Sequence, residues 1–313
     1  MWDAISGKLL FTLKGHRKRL VEIAYNPDGT RLATASDDGT ARVWNAIDNA
    51  PSLLTLKHSP YSVHSISFSP DGTIVATGDV SGTVKIWNAV SGENLHTFDV
   101  FQGDRALQNE VSLQRIAFSP DGQRLATAHS DGIVNIWGID TWKVEMTLTG
   151  HTQGVDGVVF SPDGQLLATA GWDYTARLWD AASGQELPRP LPTFRAKRLR
   201  DAIFSPDGVR LATASEGTPP ELGGITIWDV KLWNITSREE ILSLLGHFDS
   251  VNEIAFSPDG KRLATSGADG TALIHYLDID ELMRLAQTRP SLRVLKLQEC
   301  KDYLHQDPCP PLK

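Results

Sequence analysis

Cysteine is nearly missing from this chain of 313 residues: there are two, Cys300 and Cys309, both within the last 14 positions. That excludes a disulfide framework for the main body. No apolar run approaches the roughly 18 residues of a spanning helix. The opening "MWDAISGKLLFTL" lacks the basic start and unbroken apolar stretch of a secretory signal. Excess positive charge is missing too. The balance of 30 Lys and Arg against 38 Asp and Glu leaves −8, which argues against general affinity for nucleic acid or membrane. Catalytic signatures are equally scarce: there is no G-x-S-x-G elbow, H-E-x-x-H, C-x-x-C or phosphate loop. These absences predict a cytoplasmic, non-enzymatic chain without a cofactor.

What the chain has is a repeat. "NPDG" begins at Asn26, and "SPDG" begins at Ser69, Ser119, Ser161, Ser205 and Ser257, at intervals of 43, 50, 42, 44 and 52 residues. Each copy sits between two apolar stretches, such as "GVVF" and "LLATAG". Pro pre-sets φ and Gly is favoured last in a type I turn, so each copy predicts a turn joining two strands. A second turn ("DDGT", "SDGI") leads to a third strand ("ARVW", "VNIW"), and "SGK" or "SGQE" leads to a fourth. Four short strands per period with no helix between them predict stacked β blades.

"LKGH" with "RVWN", and "LTGH" with "RLWD", carry Gly-His and Trp-Asp pairs one period apart. On these residues the stretch from 1 to about 278 resembles the WD-repeat β-propeller family. The expected fold is all-β: a six-bladed β-propeller of four-stranded antiparallel blades. The N-terminal segment "SGKLLFTLKG" is expected to supply the fourth strand of the last blade and close the ring. Because Met1 falls in the middle of a repeat, part of a seven-bladed or double propeller is the competing reading. The domains are then 1–278, the propeller, and 279–313, a short helical tail.

The resemblance implies a hydrogen-bonded His, Ser/Thr, Asp and Trp set in each blade. Complete sets are His16, Thr34, Asp38 and Trp44, and His151, Thr169, Asp173 and Trp179. Indole can only donate, hydroxyl and imidazole relay, and carboxylate accepts. Elsewhere the pattern is partial. Blade 2 has Ser81 where Asp is expected, blade 3 lacks the His, and blade 6 has His275 in the Trp position.

Trp172, one residue before Asp173, falls on the turn that faces the binding surface in this family. It is either a docking aromatic or a cover for the neighbouring blade. The residues four before the first-strand aromatic line the central mouth in the family; here they are Val21, His64, Gln114, Asp156, Arg200 and Asn252. With Arg19 and Arg198 from two basic clusters, Arg17–Arg19 and Arg195–Arg200, this polar ring is the expected site for a protein or peptide, an acidic one in the sharper form of the reading. Aromatics are too sparse around the clusters for nucleic acid. The long intervals place extra residues in Asp99–Glu110 and Glu216–Asp229, on the same face.

The tail begins with Asp278 and Glu281 in a capping box. It resembles segments that follow propellers in large bacterial signalling proteins, which implies further repeats or a signalling domain ahead of Met1. Cys300, His305 and Cys309 are three candidate ligands without a fourth, so no metal is expected. The expected function is a non-catalytic scaffold or sensor. Its rival is a hydrolase or lyase using Asp156, His64 and Arg200.

Overall fold

The computed structural model describes residues 1–4, 6–48, 50–101, 111–188, 190–192, 198–216 and 228–278. They form a six-bladed propeller of antiparallel sheets. Blade 1 comprises β1 (Leu20–Tyr25), β2 (Arg31–Ser36), β3 (Thr40–Asn45) and β4 (Leu54–Lys57), and blade 2 comprises β5 (Val63–Phe68), β6 (Ile74–Asp79), β7 (Thr83–Asn88) and β8 (Asn94–Asp99). Blade 3 has β9 (Leu113–Phe118), β10 (Arg124–His129), β11 (Val134–Gly138) and β12 (Lys143–Leu148). Blade 4 has β13 (Val155–Phe160), β14 (Leu166–Gly171), β15 (Thr175–Asp180) and the two-residue β16 (Leu191–Pro192). Blade 5 has β17 (Leu199–Phe204), β18 (Arg210–Ser215), β19 (Trp228–Asn234) and β20 (Glu240–His247), and blade 6 has β21 (Val251–Phe256), β22 (Arg262–Gly267) and β23 (Ala272–Tyr276). The expected tail, 279–313, lies outside the described residues, including Glu281 of its capping box and Cys300, His305 and Cys309.

The Ser-Pro-Asp-Gly turns fold as their chemistry dictates. In blade 2 the Gly72 N–H donates to the Ser69 carbonyl at 2.9 Å. The Ser69 hydroxyl donates to Asp71 at 2.6 Å, and Asp71 accepts the Thr73 N–H at 3.0 Å. Gly72 has φ +71°, which costs glycine nothing and any other residue some strain. Strands alternate small and branched side chains, and the core lies between blades. Ala33, Ala35, Ala41 and Val43 of blade 1, for example, pack on Val63, Ile66, Phe68 and Val75 of blade 2.

Five of the six blades are pinned by an indole that donates to a second-strand threonine. Trp44 donates to Thr34 at 2.8 Å and Trp179 to Thr169 at 3.0 Å. His16 and His151 bond the same hydroxyls at 2.8 and 2.7 Å, and their other nitrogens meet Asp38 and Asp173 at 3.0 and 2.9 Å. Both expected sets are therefore assembled. Trp233, not Trp228, takes the third-strand place in blade 5, donating to Thr213 at 3.0 Å.

The partial sets are repaired in ways the pattern did not reveal. In blade 2, Asp79 at the end of β6 replaces the missing turn Asp and lies 3.4 Å from His58. Burial pushes the Asp79 carboxyl up, but His58, Ser59 and Ser81 outweigh it and hold it down to about 2. In blade 3, His129 reaches Thr127 from within β10 at 2.9 Å and does the work of the absent His. In blade 6, His275 contacts Thr265 at 3.2 Å in place of an indole.

The expected closure by the N-terminal strand is not what forms. Blade 6 has three strands among the described residues. Residues 6–11 pair instead with the residues just before them: Trp2 and Leu9 form an antiparallel bridge, and the Asp3 N–H donates to the Lys8 carbonyl at 2.9 Å. The reason is local. A third-strand end and its turn precede this segment, so it folds onto its own neighbour at small loop-closure cost, and β23 has no outer partner strand among the described residues.

Candidate functional site

A cavity of about 380 Å³ opens at the centre of one face, and Val21, His64, Gln114, Asp156, Arg200 and Asn252 all line it, one from each blade. Arg19 and Arg198 also line it, with Glu22, Arg115 and Glu253 deeper. First strands bring these side chains inward because each carries a bulge at its mouth residue, skipped in the pairing with the second strand, so that consecutive residues such as Val21 and Glu22 both face the channel. A repeated backbone bond fixes the rim. The residue after each second strand donates to the residue at the entry of the first, as in Asp37 to Arg19 (3.0 Å), Trp172 to Gly154 (2.7 Å) and Glu216 to Arg198 (2.8 Å).

Charge is concentrated in the sector of blades 4 and 5. Arg198 grips Asp156 with two bonds, Nε to Oδ2 at 2.7 Å and Nη2 to Oδ1 at 3.0 Å. Arg200 lies 4.0 Å from the same carboxylate and donates to Glu216 at 2.6 Å. Arg19, its side chain 73% exposed, bonds Asp37 at 3.1 Å. Gln114 donates to Ser112 at 2.6 Å, and Asn252 is exposed at the mouth. The expected arginines thus line the cavity, each held by a carboxylate: Arg19 by Asp37, Arg198 by Asp156 and Arg200 by Glu216.

Trp172 is half-buried. Its ring lies under the Arg198 guanidinium at 4.0 Å from ring centre to Cζ. On its other side is Gly154, where a Cβ would come within 2.8 Å of the indole. The indole therefore wedges between the entry loops of blades 4 and 5 and keeps one edge open. Its buried Nε1 has no hydrogen-bond partner among the described residues. Tyr174, two residues on, is 46% exposed and holds φ +67°, where blades 1, 2, 3 and 6 use Gly39, Gly82, Gly132 and Gly270. Strained backbone of this kind collects at functional sites. The signal was present in the sequence as Tyr replacing Gly in "DYT".

The channel floor holds Arg115 facing three carboxylates: Glu22, Glu253 at 3.1 Å and Asp201 at 3.5 Å. Burial alone would lower the Arg115 pKa, but Glu22, Glu253 and Asp201 raise it well above its usual value. Burial pushes Asp201 up to about 7, with Arg115 opposing and Glu253 adding to the rise. Glu253 is pushed up as well, first by burial. One cation against three acids leaves the floor short of positive charge, which together with burial favours the protonated form of Asp201. None of Glu22, Arg115, Asp201 and Glu253 was singled out in the sequence. They stand one residue beyond the mouth positions, and that register was legible.

The suggested catalytic trio shares the cavity without forming a proton-transfer pair. Asp156 is held by Arg198, and His64 Nδ1 is buried without a hydrogen bond among the described residues. Burial, with Arg115 and Arg19 nearby, lowers the His64 pKa despite Asp156 and Asp37, so the ring is neutral at pH 7. Of the two long segments, Asp99–Glu110 and Glu216–Asp229, positions 102–110 and 217–227 lie outside the described residues, as do positions 195–197 of the second basic cluster. No cluster of metal-binding side chains occurs among the described residues, and no described helix is long and apolar enough to cross a membrane.

Comparison with known proteins agrees with this geometry. Eukaryotic translation initiation factor 3 subunit I of Homo sapiens is 34% identical over 91 residues, 28% of each chain. The same subunit from Taeniopygia guttata is 34% identical over 93 residues, 28% of this chain and 29% of that one. The chain thus matches under a third of the length of these relatives. They are eukaryotic, and the likeness to bacterial signalling proteins expected from the tail finds no support among them. The WD domain, G-beta repeat family matches residues 7–45, 51–88, 104–138, 142–180 and 238–275, and with five matched repeats spread over its blades the chain belongs to that family.

Proposed function

We propose that this propeller is a non-catalytic scaffold whose central mouth, in the sector of blades 4 and 5, docks a protein or peptide. The observation that supports the reading best is the stack of Arg198 on Trp172 at 4.0 Å, beside a cavity of about 380 Å³ with polar side chains from every blade. An aromatic and an arginine, rigidly held and partly open, are the residue types that dominate binding energy at interfaces. The partner presents a carboxylate to this sector, where Arg198 and Arg200 exchange part of their bonding with Asp156 and Glu216 for it. The relatives are named as a subunit of an initiation factor, which favours a place in a multi-subunit assembly in the cytoplasm. A sensor role within a longer signalling chain is the finer form of the proposal and rests on the tail sequence alone.

Affinity capture with wild type, Trp172→Ala, Arg200→Ala and an opposite-face control, Val90→Asp, tests it. The two mouth variants are expected to lose partners that wild type and the control both retain. Full recovery of every specific partner by both mouth variants would remove the site.

A further inference from the structure

The channel changes sign with depth. At the rim, Arg19, Arg198 and Arg200 each sit against one carboxylate, so the charges balance. At the floor, three carboxylates (Glu22, Asp201 and Glu253) face the one guanidinium of Arg115, an excess of two negative charges when all are ionised. Every other Lys or Arg lining the cavity is one of the rim arginines.

That excess is concentrated on one residue. The Ile66 N–H donates to Glu22 Oε2 at 2.7 Å, and Arg115 takes Glu22 Oε1. Asp201 accepts the Ala202 N–H at 3.0 Å on Oδ1 and the Ile254 N–H at 3.2 Å on Oδ2. Both oxygens of Glu22 and of Asp201 are therefore committed. Glu253 gives Oε1 to Arg115 at 3.1 Å, and no hydrogen bond reaches its Oε2 among the described residues. Glu253 is also the acid that a ligand can reach. Its side chain is 40% exposed, against 9% for Glu22 and 8% for Asp201, and it lines the cavity of about 380 Å³. Burial first, and a neighbouring carboxylate with it, raises both Asp201 and Glu253 despite Arg115. Acids behave so where positive charge is short.

The wall between the two tiers suits an aliphatic stem. Leu20 and Val21 offer apolar surface, Gln114 and Asn252 carry neutral amides, and His64 is held neutral by burial. Lysine and arginine lay their methylenes along such surface and carry the charge at the far end. An acidic side chain at the same depth would meet like charge.

We propose that the channel floor receives a lysine or arginine side chain of the docked partner, which passes the rim and ends on Glu253 Oε2. The inference rests on docking at the mouth and sharpens it. The partner then carries a basic residue beside the acidic one, and each finds its opposite charge on a different tier.

Titration calorimetry with three probes tests it. Acetyl-Glu-Arg-amide carries both charges, its citrulline counterpart replaces the guanidinium with a neutral urea of similar shape, and butylguanidinium is the cation alone. The arginine peptide should bind roughly tenfold or more tightly than the citrulline peptide. Glu253→Gln should abolish that preference and leave the citrulline peptide's affinity unchanged. Glu253→Asp, which withdraws the charge by one methylene, serves if Glu253→Gln does not fold, and should reduce the preference. Equal affinity for the two peptides, binding of neither at millimolar concentration, or a preference that survives the Glu253 variant would overturn the proposal. Butylguanidinium binding as tightly as the arginine peptide would overturn it too, by assigning the floor to a free small cation. Trp172→Ala separates the floor from the rim. It should weaken both peptides alike and keep the preference for arginine. If it weakens neither while the preference stands, the rim reading fails and the floor is supported. If it weakens both but they bind wild type equally, the rim stands and the floor is removed.

Discussion

Arg198 stacks its guanidinium 4.0 Å from the centre of the Trp172 ring while holding both oxygens of Asp156. One side chain thereby ties blade 4's turn, blade 4's first strand and blade 5's entry loop into a unit. Arg198→Ala leaves the Asp156 carboxylate, 8% exposed, with only Arg200 at 4.0 Å. Breaking a fully buried pair costs about 3–5 kcal/mol. Arg198 keeps 26% exposure, so about 2 kcal/mol is expected here. Trp172→Ala should cost a similar amount, and Trp172→Phe less because a ring remains under the cation. Urea unfolding of the three variants checks the order.

The floor predicts a pH dependence. In the folded chain Asp201 is raised to about 7, against about 3.9 when unfolded. The folded state then binds more protons between those values, so this group's contribution is fully present below pH ~4 and is lost as pH rises through ~7. Wild type should be less stable at pH 8 than at pH 5 by on the order of 1 kcal/mol. Asp201→Asn keeps the neutral form and should flatten that decline. An unchanged slope in the variant would count against a proton on Asp201.

The blade sets predict the opposite limb. Burial raises the Asp173 carboxyl, but His151, Thr175 and the Thr152 N–H outweigh it and hold it below its usual range. Its contribution is present above the unfolded value and is lost as pH falls through the folded one. Asp173→Asn should therefore be clearly destabilised at pH 7, with the gap from wild type narrowing below pH ~4. Paired thermal melts at the two pH values measure it.

His129 should prove structural rather than decorative. It bonds Thr127 at 2.9 Å and packs edge-on against Phe101 at 5.2 Å, completely buried. His129→Ala leaves a cavity and removes a bond beside Trp137, for an expected loss of about 2–3 kcal/mol. Asp131→Ala, at the position the repeat pattern favours, should cost less than half as much by the same denaturation assay.

Tyr174 holds a left-handed backbone at φ +67°. A residue with a Cβ loses roughly 1–2 kcal/mol there, which glycine avoids. Tyr174→Gly is expected to raise Tm by about 2 °C while weakening partner capture. A fall in both would mean that the ring's contacts outweigh the strain.

The propeller was legible because its turns are local chemistry: Ser-Pro-Asp-Gly specifies a bend wherever it occurs, and six copies set the period. The mouth residues came from the family resemblance, which implies a channel position four before the first-strand aromatic; an alternating pattern would have missed them, since each is the bulged residue of its strand. Closure was not legible in the same way. "SGKLLFTLKG" has the pattern of a fourth strand, but pattern does not name the partner strand, and residues 1–3 compete for it at short range. Asp79 and His129 escaped because they occupy the last position of a second strand, where other blades carry Ser36, Gly171 or Ser215. The carboxylates around Arg115 escaped because their meeting depends on blades far apart in sequence.

Docking at the mouth is tested most directly by a photocrosslinking residue at Asn252, exposed in the channel opening, compared with one at Val90 on the opposite face. The account predicts a specific adduct from position 252, absent from position 90 and lost when Arg198→Ala is added. An adduct formed only at position 90, or one at 252 indifferent to Arg198, would contradict it.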